Sequence, residues 1–369
     1  MDEALPFISG LEFNGVYYEE AVRPLLAEYM PDLDYSAALI GYGSDVLGYD
    51  TAISTDHEWG PRLLLFLDEF TYAARADEIS WRLSAKLPPV FRGYSTGFSA
   101  RDAEGVRVME PATPGAVRHH VDIHTVRGFF ARELGIDPAT TLNAVDWLLM
   151  PQQRLLGVTS GAVFHDGLQA LVLLRENLAF YPRDVWLYLL AAQWTRISQE
   201  EAFVGRCGGL GDELGSQVIA ARLVRDLMRL CFLMERQYAP YSKWLGMAFS
   251  RLACAPRLQP VLHDALGASD WRERERCLSA AYEIVAAAHN ALDLTPPLAT
   301  AVSPYHGRPY LTLYAGRFAE ALAPAINDPA IRGIIDRAGL IGGIDQVADS
   351  VDLLTDANLC GRLRALYAG

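Results

Sequence analysis

Lysine is almost missing from this chain, since Lys86 and Lys243 are the only lysines among its 32 basic residues. Acidic residues prevail, and the formal net charge is −13. A protein that binds a long nucleic acid needs a basic face to neutralise the phosphates. We therefore expect no long nucleic acid as a partner. A mononucleotide is not excluded, because a triphosphate arrives with magnesium ions that need carboxylate ligands.

Cysteine motifs and membrane-length apolar segments are also missing. The five cysteines are scattered and form no CxxC pair, which predicts reduced thiols and no cysteine-based zinc site. The apolar runs "RLLLFL" (62–67) and "QALVLL" (169–174) fall well short of the roughly 18 residues that span a bilayer. The first residues, "MDEALPFISG", have no basic region typical of a secretory signal. We expect a cytoplasmic protein without a membrane partner.

The hydrophobic pattern divides the 369 residues into two parts. Short apolar segments at 35–41, 57–69 and 117–126 predict three strands, and amphipathic periodicity predicts helices at 12–29, 71–87 and 127–135. Beyond about residue 137 the periodicity is almost wholly helical. The predicted class is α+β, with a sheet-containing domain at residues 1–136 and an all-helical domain at 137–369.

A glycine-serine pair and two carboxylates lie close together in "GYGSDVLGYDTAISTDHEWG" (41–60). A turn at Gly43 lets backbone N–H groups approach a phosphate, and Ser44 adds a hydroxyl. If Asp56 and Glu58 begin the second strand, both carboxylates project from one face, about 6.6 Å apart. Two such carboxylates bind hard divalent cations, so the pattern favours a metal-nucleotide site.

A third carboxylate, Asp122, lies in "HHVDIH" (119–124) of the third predicted strand. Three carboxylates from adjacent strands could hold two metal ions about 3.5–4 Å apart, as two-metal phosphoryl chemistry requires. The third could also take a proton from an attacking hydroxyl.

With these residues in place, the chain resembles the DNA polymerase β-like nucleotidyltransferases. Their signature is a hydrophobic residue, Gly and Gly or Ser, then an Asp-hydrophobic-acidic triplet and a carboxylate on a later strand. His57 departs from it, since an apolar residue is usual there. The chain is also similar to a bacterial family that has an uncharacterised helical C-terminal domain. Three segments carry this likeness: "GSDVLGYDTAISTDHEWGPR" (43–62), "ERQYAPYSKW" (235–244) and "IGGIDQVADSVDLL" (341–354).

The resemblance implies a small mixed-sheet nucleotidyltransferase domain followed by a helical domain that forms part of the acceptor pocket. Gly43 and Ser44 would bind the phosphates of a nucleoside triphosphate, most readily ATP. Asp56 and Glu58 would hold two magnesium ions, and Asp122 would complete the second site and activate an acceptor hydroxyl. AMP would pass to a small molecule or a protein, with release of pyrophosphate.

The sequence is also compatible with other phosphate contacts and other functions. Lys243 could reach a β- or γ-phosphate, and Arg236 is a weaker candidate for the same contact. The fold could bind a triphosphate and regulate a partner without turnover. His120, Asp122 and His124 share one strand face and could bind zinc or iron in a hydrolase. Alternatively, the two histidines could line the acceptor pocket or be hydrogen-bonded in the core.

Overall fold

The computed structural model describes residues 7–102 and 105–367, which form two compact units. Unit 1 comprises the described residues up to Thr141 together with Arg154–Ala179. Unit 2 comprises Leu142–Gln153 and the described residues from Phe180 onward. The structure is mixed α+β with a small mixed sheet and a helical C-terminal region, which confirms the predicted class. None of the described helices is both long and apolar enough to cross a membrane.

The strands, in chain order, are β1 Ser36–Leu39, β2 Arg62–Leu67, β3 Val90–Phe91, β4 Tyr94–Ser95, β5 His120–Thr125, β6 Ala162–Asp166, β7 Ser303–Pro304 and β8 Leu311–Thr312. The α-helices are α1 Gly10–Tyr17, α2 Arg23–Tyr29, α3 Glu69–Lys86, α4 Val126–Leu134, α5 Ala144–Leu149, α6 Gln152–Thr159, α7 Leu171–Asn177, α8 Arg183–Glu200, α9 Phe203–Gly209, α10 Glu213–Met234, α11 Leu245–Phe249, α12 Ala255–Gly267, α13 Trp271–Ala291, α14 Gly316–Leu322, α15 Pro329–Ala338, α16 Ile344–Val347, α17 Val351–Leu354 and α18 Ala357–Arg362.

The main sheet of unit 1 has the strand order β5-β2-β1-β6. β2 runs antiparallel to β1, pairing Ser36 with Phe66, and parallel to β5, pairing Arg62 with His120. Five of the six residues of β2 are buried. A central strand covered on both faces is largely apolar, and every residue of β2 after Arg62 is apolar, which is why "RLLLFL" located it in the sequence.

Helix α3 forms the first part of the crossover from β2 to the parallel strand β5. Asp68 caps its N-terminus, because one carboxylate oxygen accepts the amides of Phe70 and Thr71 at 2.9 Å each. Ile79 and Leu83 form its buried face. The helix ends before Pro88 and Pro89, which lack the N–H that would continue it.

Asp56 and Glu58 both lie before β2, so the prediction that they begin the second strand is wrong. Asp56 ends a 3-10 turn at Ala52–Asp56, and Glu58 has a left-handed backbone with φ of 49°. The two carboxylates are separated from β2 by Gly60, which has φ of 121°, and by Pro61. The extended chain therefore begins only at Arg62, and the same-face geometry of alternate strand residues does not apply to the two carboxylates.

The prediction that residues 137–369 are all helical is wrong at the two-residue strands β7 and β8 and, with more effect on the fold, at β6. Strand β6 pairs antiparallel with β1, with Leu39 opposite Ala162 and Ser36 opposite Asp166. Ser36 also donates its hydroxyl hydrogen bond to the Asp166 carboxylate at 2.7 Å. The helical segments on either side hide so short a strand in the sequence, and its partner is distant along the chain. Residues 154–179 thus return to unit 1, beyond the predicted boundary at residue 136.

Helix α8 is the centre of unit 2, where it packs against α10 and α14. It is buried on nearly all sides, as a helix without a polar face must be. Gln346, in the "IGGIDQVADSVDLL" motif, donates its side-chain amide to Leu189 O at 3.0 Å and to the Gln193 side chain at 2.9 Å. The motif therefore fastens a C-terminal turn to α8.

A close helix approach in unit 1 supports a prediction about Gly157. The carbonyl oxygen of Gly157, in α6, accepts a hydrogen bond from the backbone N–H of Gly41 at 2.9 Å. A Cβ at position 157 would overlap the carbonyl oxygen of Gly41. Gly157→Ala should lower the free energy of unfolding by about 1–3 kcal/mol, as overpacking does, measured by urea denaturation.

Gly15→Ala is the matched control in a helix of the same unit. A Cβ there would meet Phe164 Cε1 at 3.5 Å, an ordinary contact. Gly15→Ala should raise the free energy of unfolding by about 0.5–1 kcal/mol, because alanine has less backbone freedom than glycine in the unfolded chain and loses less of it when the helix forms. Equal effects of the two changes would contradict the close approach at Gly157.

Candidate functional site

A cavity of about 490 Å3 lies against the sheet of unit 1. This volume is within the range of small-molecule sites. Its apolar lining side chains are Ile40, Leu63, Leu64, Ile123 and Phe129. Its charged or titratable lining residues are Tyr42, Arg62, Arg101, His120, Asp122, His124 and Arg132. The apolar groups can enclose a ligand while the polar groups orient it.

Strand β5 supplies three of the polar lining residues. Alternate residues of a strand face the same side, so His120, Asp122 and His124 all line the cavity. The structure thus places both histidines at the cavity, and its role as an acceptor pocket stays a prediction. Burial, with Arg132 and Arg101 acting in the same direction, lowers the pKa of His124 to about 4. The Nε2 atom of His124 is buried and has no hydrogen-bond partner among the described residues.

Glu58 is fixed in its strained conformation by Arg107. The Glu58 amide donates to Arg107 O at 2.9 Å, and the Arg107 amide donates to Glu58 Oε1 at 2.6 Å. Tyr42 donates its hydroxyl to Glu58 Oε2 at 3.0 Å. A left-handed non-glycine residue costs about 1–3 kcal/mol and persists only where its surroundings enforce it. Both oxygens of this carboxylate are therefore held in defined directions.

The ring of His120 joins Glu58 to Asp122. Its Nε2 lies 3.6 Å from Glu58 Oε2 and 3.6 Å from Asp122 Oδ2. Burial lowers the pKa of His120, although both carboxylates act against that shift. Two of the three predicted carboxylates, far apart in the chain, therefore converge on one imidazole.

Asp122 is also neutralised by arginine. Arg101 donates to Asp122 Oδ2, and Arg107 Nη1 lies 3.7 Å from Asp122 Oδ1. Burial opposes ionisation of Asp122, yet its interaction with His120 and the charge of Arg101 hold the pKa of this carboxyl well below its usual range. Asp122 is thus ionised at neutral pH, and its proton affinity is low while Arg101 contacts it.

The turn after β1 is built around a buried ion pair. Arg62 Nε and Nη2 donate to the two oxygens of Asp45 at 3.1 and 2.6 Å, with side chains 5% and 1% exposed. Gly43 has φ of 131°, and a Cβ there would overlap Arg62 Nη2 and Asp45 Oδ1. The ion pair by itself therefore requires glycine at position 43. The Ser44 carbonyl accepts the Tyr49 amide at 2.8 Å, which closes the turn.

Asp56 does not join Glu58 and Asp122 in this arrangement. Its side chain is 64% exposed, and its Oδ1 lies 2.9 Å from Nδ1 of His57. In the part of the chain that the structure describes, no group of three or more His, Cys, Asp and Glu side chains is placed to bind one metal ion. Neither the two-magnesium set of Asp56, Glu58 and Asp122 nor a His120, Asp122, His124 metal set is therefore formed.

Lys243 and Arg236 belong to unit 2, whereas the cavity lies in unit 1. The exposed Lys243 ammonium lies 4.8 Å from the ring centroid of Trp244. Arg236 has φ of 54°, and its guanidinium lies over the rings of Phe180 and Trp186 at 5.5 and 5.1 Å. A phosphate contact by either residue stays a prediction.

The sequence reading missed the arginines of the site and Tyr42. Arg62 carried a usable signal, because a charged residue that opens a buried apolar strand needs a buried partner. Arg101 and Arg107 lie in the irregular segment before β5, where no periodicity indicates which side chains turn inward. Only the tertiary contacts of that segment with Glu58 and Asp122 identify them.

Comparison with known proteins gives one partial match. Residues 147–245 match the family described as "Domain of unknown function (DUF4037)". That segment is less than a third of the chain and contains none of the residues that line the cavity. No curated protein and no solved structure matches the chain.

Proposed function

We propose that the chain is a nucleotidyltransferase that moves a nucleoside monophosphate from a triphosphate, ATP foremost, to a hydroxyl group of a small molecule or protein. The observation that carries the proposal is the convergence of Glu58 and Asp122 on His120 at the cavity. The mixed sheet and the Gly43-Ser44 turn after β1 add support, because they accompany these carboxylates as the sequence resemblance implies.

The proposed roles belong to the chain's own side chains. Asp122 accepts the proton of the acceptor hydroxyl, which then attacks the α-phosphorus as pyrophosphate leaves. Glu58 and His120 orient Asp122, and the backbone at Gly43 and Ser44 contacts the phosphates. Most of the rate acceleration would come from positioning the two reactants against each other in the cavity.

The two magnesium ions implied by the sequence do not fit the arrangement described. Glu58 already accepts hydrogen bonds on both oxygens, Asp122 contacts two arginines, and Asp56 is exposed. Magnesium prefers near-octahedral oxygen coordination, which these engaged carboxylates do not offer. We therefore derive no step through a metal ion.

The direct test uses ATP labelled at its α-phosphate. The purified chain is incubated with this ATP, magnesium and a fractionated metabolite extract, and pyrophosphate release and labelled products are measured. We expect a labelled adduct that forms together with pyrophosphate. Neither product with any of the four common triphosphates, across small-molecule and protein acceptors, would contradict the proposal.

A second candidate function is triphosphate binding without turnover. It is favoured by the engagement of Glu58 and Asp122 with neighbouring hydrogen-bond donors, because a carboxylate held in this way is not free to take a proton from an acceptor hydroxyl. Calorimetry with ATP would then show binding, while the labelled-ATP assay would give neither adduct nor pyrophosphate.

A further inference from the structure

The charges that face solvent in the cavity are mainly cationic. The side chains of Arg101 and Arg132 are 46% and 52% exposed, whereas Asp122 is 22% exposed. Arg132 uses its Nε to donate to Oε1 of Glu133 at 3.1 Å, and that carboxylate is only 5% exposed. The carboxylates of Glu58 and Asp45 are 9% and 1% exposed, and neither residue is among those that line the cavity. Because a ligand first meets the exposed charges, this cavity attracts anions although the whole chain carries a charge of −13.

A buried imidazole nitrogen without a partner accompanies these charges. Nε2 of His124 is buried without a hydrogen-bond partner among the described residues, and His124 lines the same cavity as both arginines. A buried polar atom without a partner is costly, and in the tautomer that carries its proton on Nε2, His124 would donate to a ligand oxygen and relieve that cost. The planar guanidinium of arginine matches phosphate oxygens through two parallel hydrogen bonds.

Arg101 can exchange partners without leaving Asp122 isolated. Besides Asp122, Arg101 donates to Gly105 O at 2.9 Å, in an exposed segment. Arg107, only 8% exposed, also faces Asp122 and is fixed by its bond to Ser99 O at 3.1 Å. Departure of Arg101 therefore leaves one arginine beside the carboxylate and removes the other.

We propose that Arg101, His124 and Arg132 form a phosphate subsite, and that Arg101 leaves Asp122 when the polyphosphate of the ligand binds. The assignment rests on the proposed function in taking that ligand to be a nucleoside triphosphate. Binding of the triphosphate then removes Arg101 from Asp122, so that the carboxylate becomes available to the acceptor hydroxyl only in the loaded site.

The test is calorimetry with sodium pyrophosphate, and then ATP, in EDTA, which separates phosphate binding from metal binding. Arg101→Gln and Arg132→Gln should each raise the Kd for pyrophosphate about tenfold or more, the effect expected for loss of a charged hydrogen bond. Arg82→Gln is the control, because Arg82 pairs with Glu78 on the exposed side of α3. It should bind pyrophosphate as the wild type does.

Asp122→Asn gives a result of opposite sign. Without the competing carboxylate Arg101 is free to bind phosphate, so the Kd for pyrophosphate should fall. A residue that only supported the fold would weaken binding or leave it unchanged. No binding of pyrophosphate by the wild type, unchanged affinity in both arginine variants, or weaker binding by Asp122→Asn would each overturn the proposal.

The outcomes separate this subsite from the proposed reaction. Pyrophosphate binding that depends on Arg101 and Arg132, in a chain that transfers no nucleotide, would leave the subsite standing and remove the transferase. Transfer activity in a chain whose arginine variants bind pyrophosphate normally would leave the transferase standing and remove the subsite.

Discussion

Asp122→Asn is expected to reduce nucleotidyl transfer by about 10²–10⁴-fold, the range that a general base contributes. Asparagine keeps the shape of the side chain, but it cannot accept the proton of the acceptor hydroxyl. The measurement is the steady-state rate of labelled product with the acceptor that the extract identifies, together with circular dichroism to establish that the variant is folded. A loss of less than tenfold would contradict the role of Asp122 as the base.

Asp68→Asn is the matched control for this substitution. Asp68 is a carboxylate of unit 1 whose function is to cap α3, and asparagine caps helices as well as aspartate does. Full activity is expected. Asp56→Asn tests the third predicted carboxylate. A loss of transfer activity as large as that of Asp122→Asn would show that the exposed Asp56 joins the other carboxylates in the substrate complex.

Asp45→Asn is expected to lower the stability of unit 1 by about 3–5 kcal/mol, because it leaves the buried guanidinium of Arg62 without its counter-charge. Burial acts against the charge of Arg62, and Asp45 more than offsets that effect, so the pKa of Arg62 lies above its ordinary value. Hydrogen exchange of the β1 and β2 amides reports the change locally.

Two further variants interpret the Asp45 result. The double variant with Asp45→Leu and Arg62→Met should recover most of the loss, since replacing both members of a buried pair removes the uncompensated charge. Asp32→Asn breaks an exposed pair with Arg75, at 3.3 Å, and should cost less than about 1 kcal/mol. Similar losses for Asp45→Asn and Asp32→Asn would contradict the importance of burial.

Local patterns predicted the central elements of unit 1 well. The apolar run of β2, the alternation of β5 and the periodicity of α3 are each carried by neighbouring residues, so the sequence located all three. Asp122 was found for the same reason, because its strand and facing side follow from alternation. The turn at Gly43 was also recognised, although the structure shows a second need for glycine there, the Arg62–Asp45 pair.

Features that depend on distant contacts were not predictable. Gly60 and Pro61 keep Glu58 out of β2, and its two hydrogen bonds with Arg107 and one from Tyr42 place its carboxylate beside His120. The pairing of Asp122 with Arg101 likewise needs the irregular segment before β5 to fold back. Strand β6 was hidden because its order comes from β1 and not from its own five residues.

The late return of the chain to the sheet has a consequence during synthesis on the ribosome. Strand β1 is sequestered on one side by β2, but its other side stays open until residues 162–166 have been translated. An open strand edge is a template for pairing with other chains. A nascent polypeptide paused just after α4 would therefore expose that edge, and a fragment cut at residue 136 should self-associate or recruit a chaperone.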